Sequence, residues 1–552
     1  MTSVRKVVVV GGVAGGMSAA TRMRRLDPDA SIIVIERSGF VSYANCGLPY
    51  YVGGVIADRE SLLLQTPESL DARFALDVRI GSNVLLVDRD SREVEVQGPT
   101  GEVYRLPFDF LILSPGAQPV VPPIPGIENA YTLRTVEDVS RIALAVANKP
   151  DRAVVIGGGF IGLESAENLI HRGIPTSIVE AQEQLIAPLD YELAVLVHEE
   201  VRKHGVDLHL GTGVIQINPD QVTLSDGTVI ESTLVICAIG VRPDISLAQS
   251  AGLTIGSRGG IVINEFGQTS DPAIYAVGDV AEKIDAFDGE STLVPLANIA
   301  NRQGRVAADH IMGRPVREVT TIGTAIVKVF DLTVAVTGWN EKRLVAQGVP
   351  FQAIHTHPGS HAGYYPGAEE MALKLLVHKP EGQILGAQAV GRSGVDKRID
   401  VIATAMKSGL LAPELADLEL AYAPPFGSAK DPVNMLGYIA ENLLSGLTKN
   451  VQWYEVDALA AAGAVILDVR NVEEFADGAI PGSINVPLDD LRSRMSEIPD
   501  GPVVVYCKVG QRGHTATVLL RENGFEAVNL DGGFTTWSAV ASSKGLVTAA
   551  KG

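Results

Sequence analysis

The chain has 552 residues, which is too many for a single hydrophobic core and predicts three or four domains. Its formal net charge of −20 argues against nucleic acid or an anionic membrane surface as a main partner, although a local basic pocket could still bind an anion. Ordinary apolar content and abundant glycine favour a globular α/β protein over a disordered or fibrous one.

The cysteines and the N-terminal segment indicate the cellular compartment of the protein. The apolar run Val7–Val10 ends at once in glycine-rich sequence, so it predicts a buried strand and no secretion signal. The sequence contains no run of about 20 apolar residues, so we predict no membrane span. The three cysteines, Cys46, Cys237 and Cys507, are too sparse for a disulfide scaffold. We therefore expect a cytoplasmic protein with reduced thiols, and we predict no metal site.

A first βαβ pattern occupies residues 4–36. It comprises a strand, a glycine-rich turn, a helix and the strand Ser31–Ile35, which ends at Glu36. The turn at Gly11–Gly16 reads G-G-V-A-G-G, so valine replaces the middle glycine of the usual dinucleotide fingerprint. Glu36 still stands where an acid bonds a ribose hydroxyl, which keeps dinucleotide binding as the interpretation of this segment.

A second βαβ pattern occupies residues 152–180 and matches the fingerprint fully. The strand Ala153–Ile156 leads into Gly157–Gly162, which reads G-G-G-F-I-G, and a helix follows to about His171. The next strand ends at Glu180, where an acid would bond the ribose 2′-hydroxyl. The alternative is a tight structural turn between strand and helix, but the terminal acid favours a nucleotide site.

The residues after Glu180 bear on the choice of nicotinamide cofactor. No arginine follows closely, and the next residues are Ala181-Gln182-Glu183. A 2′-phosphate would therefore meet two acids and no cation. We predict NADH over NADPH.

Cys46 lies in the segment Ser42–Tyr51, between the two nucleotide motifs. Val41 stands five residues before it, and no second cysteine is near. A lone thiolate there must pass electrons as a mixed disulfide, a persulfide or a sulfenic acid. The alternative is a buried structural thiol. Cys237 lies in an apolar strand and is predicted to be core.

The first 448 residues resemble the single-cysteine flavin disulfide reductases, which include CoA-disulfide reductases, persulfide reductases, NADH oxidases and NADH peroxidases. Cys46 with the Gly-Leu-Pro-Tyr that follows it, Leu111–Ala117 and Thr269–Asp279 carry the resemblance, in the family's order. It implies an FAD- and NADH-dependent homodimer with CoA as substrate or ligand. The implied cofactor contacts are Gly11, Ala14, Gly15, Gly16, Glu36, Arg37, Asn45, Ser114, Gly116, Gly157, Gly159, Ile161, Gly162, Glu180, Gly240, Asp279 and Ala297.

The resemblance also implies which branch of the family applies. NADH peroxidases have a histidine at the position of Ala14, so its absence argues against peroxide chemistry. Tyr364 and Tyr422 match two tyrosines of the CoA-disulfide reductases, where a phenol can bond or protonate a leaving CoA thiolate. The alternative is that both only pack a dimer interface.

Cations are expected at the mouth of a site for CoA, because CoA carries three phosphate groups. Arg22 and Arg25 lie on one face of the first helix at i, i+3. The alternative is that these arginines are simply solvated. The implied CoA contacts are Arg22, Ser42, Arg73 and Arg302.

Residues 453–540 resemble a rhodanese domain, after a linker at 445–450. Asp468-Val469-Arg470, Ala479–Ser483 and Asp531-Gly532-Gly533 match that family's layout. Cys507 begins a C-x4-R loop that ends at Arg512, between the strand Val503–Tyr506 and a helix predicted from about Gly513. Such a loop and Arg512 would stabilise a thiolate or persulfide, whereas the C-x5-R loop of related phosphatases is wide enough for phosphate. The alternative is an inactive binding module.

The combined prediction is a sulfur reductase fused to a sulfur carrier. Hydride would pass from NADH to FAD and on to Cys46, which attacks CoA persulfide, CoA disulfide or polysulfide, while Cys507 relays sulfane sulfur. A low-pKa thiol suits both sites. The alternatives are an NADH oxidase that reduces oxygen and a non-enzymatic redox sensor.

The predicted fold is α/β: two Rossmann-like domains for FAD (1–115 and 246–325) and NAD (116–245), an α+β dimerisation domain (326–448) and an α/β rhodanese domain (453–540).

Overall fold

The computed structural model describes residues 4–317 and 319–545. The chain forms two compact units. The first comprises residues 1–183 and 205–322, and the second comprises residues 184–204 and 323–552. In the described residues, no helix has both the length and the apolar character that crossing a membrane requires.

The first unit is built on two parallel sheets of five strands each, as the two βαβ patterns predicted. Apolar β-branched runs such as Val7–Val10 are fully buried, which is the pattern of strands covered on both faces. One sheet has the order Ile274–Ala276, Phe110–Leu113, Lys6–Val10, Ser31–Ile35 and Asp77–Arg79. The other has the order Asp207–Leu210, Thr176–Glu180, Ala153–Ile156, Leu234–Cys237 and Ala130–Thr132.

Helices cover both parallel sheets of the first unit. Two of them pack closely where a Cβ at Gly304 would lie 2.3 Å from the carbonyl oxygen of Gly15. Thr135 caps one helix by accepting from the N–H of Asp138, 3.2 Å away. The helices are Ala14–Leu26, Leu48–Val52, Pro67–Phe74, Val136–Ala147, Phe160–His171, Ser246–Ser250 and Ala297–Ile311.

Smaller sheets complete the first unit. A three-stranded antiparallel sheet is inserted in the chain between the strands Asp77–Arg79 and Phe110–Leu113 of one parallel sheet, and another between Asp207–Leu210 and Leu234–Cys237 of the other. The remaining short strands form one two-stranded and one three-stranded sheet. The strands of these smaller sheets are Asn83–Asp88, Glu93–Gln97 and Val103–Pro107; Val214–Ile217, Gln221–Leu224 and Val229–Glu231; Ala117–Pro119 and Val241–Pro243; and Lys283–Asp285, Ser291–Thr292 and Thr320–Thr321.

The helix Tyr191–Lys203 belongs to the second unit together with the later part of the chain, although the sequence analysis placed it in the NAD-binding domain. An antiparallel sheet follows, packed on helices Glu341–Ala346, Val395–Ser408 and Pro432–Leu444. This arrangement is the predicted α+β domain. The strand order is Ala325–Val329, Leu332–Gly338, Ile384–Gly391, Met371–His378 and Phe351–Thr356.

The C-terminal part of the second unit is a five-stranded parallel sheet with helices on both faces. One helix begins at Gln511, two residues before the predicted start, because Gly510 takes a positive φ of 99° and ends the loop there. The strand order is Asn450–Val451, Ala527–Leu530, Val503–Tyr506, Val465–Asp468 and Ile484–Asn485. The helices are Val456–Ala461, Val472–Ala476, Leu491–Arg494, Gln511–Glu522 and Gly533–Ser543.

Candidate active sites

A cavity of about 770 Å³ opens at the carboxyl ends of the first parallel sheet. That is where open α/β sheets bind ligands, and the volume is that of a small-molecule or cofactor site. Six residues predicted to contact a cofactor line it, namely Gly11, Glu36, Arg37, Asn45, Ser114 and Gly116.

The glycine-rich turn of this cavity packs tightly against the backbone of Ser114. Gly11 has a φ of 99°, and a Cβ there would lie 2.0 Å from the carbonyl oxygen of Ser114. The buried carboxylate of Glu36 accepts the N–H groups of Gly12 at 2.7 Å and Ser38 at 2.8 Å. Burial raises the pKa of Glu36. A carboxylate held at the end of the second strand is placed to accept a ribose hydroxyl.

Arg134 is a cavity residue that the sequence analysis missed. It lines the 770 Å³ cavity, and its guanidinium lies 2.9 Å from the carboxylate of Asp279, a predicted cofactor contact. The buried ammonium of Lys283 donates to the carbonyls of Gly278 at 2.6 Å and Ala281 at 2.9 Å, which fixes the loop that carries Asp279. Burial lowers the pKa of Lys283 to about 8. Neither cation lies in a recognisable motif.

The other predicted contacts of the first sheet lie on its two packed helices. Ala14, Gly15 and Gly16 form the first turn of the helix Ala14–Leu26, and Ala297 begins the helix Ala297–Ile311. Backbone N–H groups at a helix start are available to an anion. These positions stay predictions as cofactor contacts.

The second glycine-rich turn also has the predicted geometry. Gly157 has a φ of 109°, and a Cβ at Gly162 would lie 2.0 Å from the Gly157 carbonyl oxygen. A Cβ at Gly159 would meet no described atom within 4 Å, which leaves space for a pyrophosphate beside the backbone. The carboxylate of Glu180 accepts the N–H of Gly158 at 2.7 Å. Ile161 lies on the helix that follows, and Gly240 has a φ of 122°.

Cys46 lies on a short 3-10 turn, directly before the helix Leu48–Val52, and is exposed. Glu164, two residues after the last glycine of the second motif, lies on the facing helix and accepts from the hydroxyl of Tyr50 at 3.4 Å. Burial raises the pKa of Glu164 to about 7. The sequence analysis missed both Tyr50 and Glu164, since only the fold brings them together.

The low thiol pKa that suits the predicted sulfur chemistry is not found at Cys46. Surrounding protein desolvates the thiol and raises its pKa, and the negative charge of Glu164 raises it further. The positive charge of Arg134 opposes this effect. Cys237, by contrast, is buried in its strand as predicted, and its thiol donates to the carbonyl of Val120 at 3.7 Å.

The predicted CoA contacts lie on separate surface elements of the first unit. Arg22 is engaged by Asp309, which its guanidinium approaches to 2.7 Å. Arg73 and Arg302 are exposed, and Ser42 has a strained backbone with a φ of 49°. Arg25 lies over the ring of Phe74, 5.0 Å from its centroid. Arg22 is thus held in place, and CoA contact at these residues stays a prediction.

Tyr364 and Tyr422 meet on the surface of the second unit. Their hydroxyl oxygens lie 2.9 Å apart, and both side chains are exposed. The hydrogen bond between the two hydroxyls raises the pKa of Tyr364. Exposed tyrosines that bond each other can bind a ligand or pack a partner surface.

Cys507 ends the strand Val503–Tyr506 and faces the start of the helix Gln511–Glu522. The N–H of Gly510 donates to its sulfur at 3.1 Å. From the opposite side, the N–H groups of Phe534 and Thr535 bond the carbonyls of Cys507 and Lys508 at 2.8 and 2.9 Å. The loop is therefore held on both sides, with an N–H group and a helix dipole directed at the sulfur.

Arg512 is oriented by a carboxylate. Its two terminal nitrogens each lie 2.7 Å from an oxygen of Glu474, in a bidentate pair. This hydrogen bonding lowers the pKa of Glu474 to about 2. Hydrogen bonding to Glu474 raises the pKa of Arg512, and Cys507 contributes a smaller effect of the same sign because the guanidinium lies near its sulfur. Glu474 is a further residue that the sequence analysis missed.

Family comparisons agree with both halves of this description. Residues 5–304 match the pyridine nucleotide-disulphide oxidoreductase family, and residues 324–432 match the dimerisation domain of that family. Residues 453–540 match the rhodanese-like domain. The chain therefore belongs to the pyridine nucleotide-disulphide oxidoreductase family, and it is an FAD-dependent oxidoreductase that carries a rhodanese-like domain.

Similarity to three known proteins indicates the class of reaction. A coenzyme A disulfide reductase of Staphylococcus aureus is 35% identical over 441 residues, which are 79% of this chain and 100% of the relative. The crystal structure of reduced Bacillus anthracis CoADR-RHD is 49% identical, with a TM-score of 0.97 over 98% of this chain and 99% of that one. An NAD-dependent persulfide reductase from A. fulgidus is 37% identical, with a TM-score of 0.91 over 96% and 100%. Pyridine nucleotide-dependent reduction of disulfide or persulfide bonds is the class of reaction that these similarities support.

The residues of the first unit fit the cofactors of that family. The 770 Å³ cavity, the Gly11 turn and the carboxylate of Glu36 would suit the dinucleotide part of FAD. The Gly157 turn and Glu180 suit a nicotinamide dinucleotide. When bound, FAD would accept hydride from the nicotinamide and supply two electrons to the sulfur site.

Proposed function

We propose that the protein uses NADH to reduce CoA persulfide, polysulfide or CoA disulfide through Cys46, and that its rhodanese domain supplies sulfane sulfur through Cys507. The observation that supports the proposal is that Cys46 has no second cysteine near it in the sequence. It is exposed and lies near Arg134 of the flavin-type cavity, and the two other cysteines are buried. The S. aureus, B. anthracis and A. fulgidus relatives support the substrate class by their names.

The proposed chemistry at Cys46 has two steps. The Cys46 thiolate attacks the CoA-bearing sulfur of CoA persulfide, forms a Cys46–S–S–CoA disulfide and releases HS⁻. Two electrons and one proton, supplied from NADH through the flavin, then cleave that disulfide, return the thiolate and release CoA thiol. With CoA disulfide as substrate, CoA thiolate leaves in the first step in place of HS⁻.

The proposed role of Cys507 is to carry sulfur to that chemistry. Its thiolate attacks the sulfane sulfur of a donor such as thiosulfate, forms a Cys507 persulfide and releases sulfite. The N–H of Gly510 stabilises the anionic sulfur, and the persulfide then loads CoA or passes its sulfur to Cys46.

The assembly and cofactor choice are part of the same proposal. We expect a homodimer, because the chain contains the family's dimerisation domain and exposes Tyr364 and Tyr422 on it. We expect NADH as the donor, since Glu180 and Glu183 would repel a 2′-phosphate. Three free cysteines fit a reducing compartment such as the cytoplasm.

The deciding experiment is anaerobic NADH oxidation by the FAD-loaded protein, with CoA persulfide and CoA disulfide at equal concentration and sulfide recorded in parallel. We expect one sulfide for each NADH oxidised with the persulfide, and no turnover in Cys46→Ser with either substrate. With thiosulfate as the sulfur source, sulfide release should require both Cys46 and Cys507.

Control variants separate the two halves of the proposal. Cys237→Ser should keep both activities, because that thiol is buried in a strand and donates to the Val120 carbonyl. If Cys507→Ala leaves the thiosulfate-dependent flux unchanged, the relay is wrong. Rapid NADH oxidation in air without a sulfur substrate would instead favour an NADH oxidase.

A further inference from the structure

A buried ionic network lies within the second unit, between the antiparallel sheet and the rhodanese-like domain. His355 lies in the strand Phe351–Thr356, one residue before its end, and Lys374 lies directly opposite it on the neighbouring strand. Both are almost completely buried, with side chains 4% and 0% exposed. Charged side chains are rarely buried so deeply unless they are paired, so the partners of these two residues are informative.

Lys374 pairs with the carboxylates of the network and offsets their negative charge. Its ammonium contacts Glu192 and lies 2.9 Å from both Asp190 and Glu341. These three carboxylates could otherwise hold a cation, and the lysine occupies that role. Burial disfavours the charge of Lys374, but the carboxylates outweigh it and raise its pKa.

His355 connects this cluster to the rhodanese-like domain. Its Nε2 lies 2.9 Å from Glu192, and its Nδ1 lies 2.6 Å from Asp531. An ionised carboxylate can only accept, so a ring that bonds two of them must carry a hydrogen on each nitrogen. Burial tends to lower the pKa of His355, but Asp531 and Glu192 outweigh it and raise the pKa to about 9.

Asp531 in turn adjoins the backbone that holds the Cys507 loop. Gly532 and Gly533 follow it, and a Cβ at Gly533 would lie 2.5 Å from the Cys507 carbonyl oxygen. The next two N–H groups are those that bond the carbonyls of Cys507 and Lys508. Asp531 accepts from the backbone N–H and the Nδ1 of His355, from Asn450 and from Gln452, and these bonds hold it in one orientation.

We propose that His355 is a positioning residue for the Cys507 site, which it serves by anchoring Asp531 and thereby the segment Asp531–Thr535 that cradles the reactive loop. A residue outside the rhodanese-like domain would then set the geometry of sulfur transfer. This inference rests on the proposed sulfurtransferase role of Cys507. Displacing a reacting group by about 1 Å can lower a rate by about 10²-fold, so a loosened cradle should be measurable.

Two variants of His355 separate positioning from mere packing. The side-chain nitrogen of His355→Asn can replace Nδ1 and keep the bond to Asp531, whereas that of His355→Gln can replace Nε2 and keep the bond to Glu192. Both variants lose the imidazolium charge. His378→Gln is a matched control, because His378 ends the adjacent strand and pairs with Glu381 away from the network.

The experiment uses the full-length, FAD-loaded protein and two readouts. The first is thiosulfate:cyanide sulfurtransferase activity, and the second is hydrogen exchange of the Phe534 and Thr535 amides. We expect His355→Gln to lower sulfurtransferase kcat about tenfold and to speed that exchange, while His355→Asn and the control stay within about twofold of the original protein.

The outcomes separate this inference from the proposed function. Equal effects of the Asn and Gln variants on both readouts would overturn it, since then only burial or charge matters. If the unmodified protein lacks sulfurtransferase activity, the role proposed for Cys507 fails, and amide exchange alone decides whether His355 anchors the loop. NADH oxidation with CoA disulfide should be unchanged in all three variants, which checks that they fold.

Discussion

The hydroxyl oxygens of Tyr364 and Tyr422 lie 2.9 Å apart, although 58 residues separate them along the chain. Both rings are exposed on the domain that matches the family's dimerisation domain. Their hydrogen bond raises the pKa of Tyr364, so that phenol stays protonated at neutral pH. The pair can therefore donate a proton to a leaving thiolate.

We expect Tyr422→Phe to lower kcat for CoA disulfide about 10²-fold, because removing a proton donor removes general acid catalysis. Tyr364→Phe should lower kcat as well, and the double variant should lose the most, since either hydroxyl of the bonded pair can be the donor. Steady-state NADH oxidation measures both. Tyr438→Phe, at another exposed tyrosine of the same domain, is the control. An unchanged kcat in the double variant would mean that the tyrosines only pack.

The charge of Glu164 should control the reactivity of Cys46. Its pKa of about 7 means that it is largely protonated below pH 7 and ionised above it, and the ionised form raises the pKa of the Cys46 thiol. Glu164→Gln removes that negative charge, so the thiol pKa should fall and Cys46 should alkylate several-fold faster at pH 8. Peptide-resolved mass spectrometry of iodoacetamide labelling from pH 6 to 10 measures this change.

The control for the Cys46 experiment is Glu68→Gln. Glu68 is solvent-exposed at the start of the helix Pro67–Phe74 and should leave the labelling profile unchanged. A Glu164→Gln profile that coincides with that of the original protein would contradict the electrostatic coupling.

Cofactor preference should depend on the charge of Glu180. Glu180→Gln keeps an oxygen to accept the Gly158 N–H but removes the charge that would repel a 2′-phosphate. We expect the ratio of kcat/KM for NADPH to that for NADH to rise about tenfold, which corresponds to about 1.4 kcal/mol. Steady-state kinetics with both cofactors measures this ratio. Glu183→Gln should have a smaller effect, and no change in either variant would refute charge as the basis of selectivity.

The segment Asp531–Thr535, which holds the Cys507 loop, should tolerate no side chain at Gly533. Gly533→Ala places a methyl group 2.5 Å from the Cys507 carbonyl oxygen, in addition to the cost of a positive φ of about 1 kcal/mol. We expect sulfurtransferase activity to fall at least about tenfold with NADH-dependent disulfide reduction intact. Gly524→Ala has a comparable positive φ but no described atom within 4 Å, so it isolates the backbone cost. Equal activity in the two variants would show that the clash is relieved elsewhere.

Much of the fold follows from local sequence patterns. The strand Ala153–Ile156 has its predicted bounds and the helix Phe160–His171 its predicted C-terminal end, because a run of β-branched residues, a glycine turn and a helical pattern are each readable within a few residues. The helix at Gln511 begins two residues earlier than predicted, since the positive φ of Gly510 decides the boundary. Gly11, Gly157, Cys46 and Cys507 could be singled out because each lies in a short motif.

The residues that the sequence could not assign interact over long separations. Arg134 meets Asp279 across 145 positions, Glu164 meets Tyr50 across 114, and His355 meets Asp531 across 176. The raised pKa of the Cys46 thiol has the same origin, because desolvation and the charge of Glu164 exist only once helices pack. Contiguous patterns in the sequence sufficed to predict the domain types and to single out Cys46 and Cys507 as candidate reactive cysteines. The tertiary structure decided the electrostatic environment and the anchoring of each cysteine, because burial and charge pairing depend on distances that chain order does not encode.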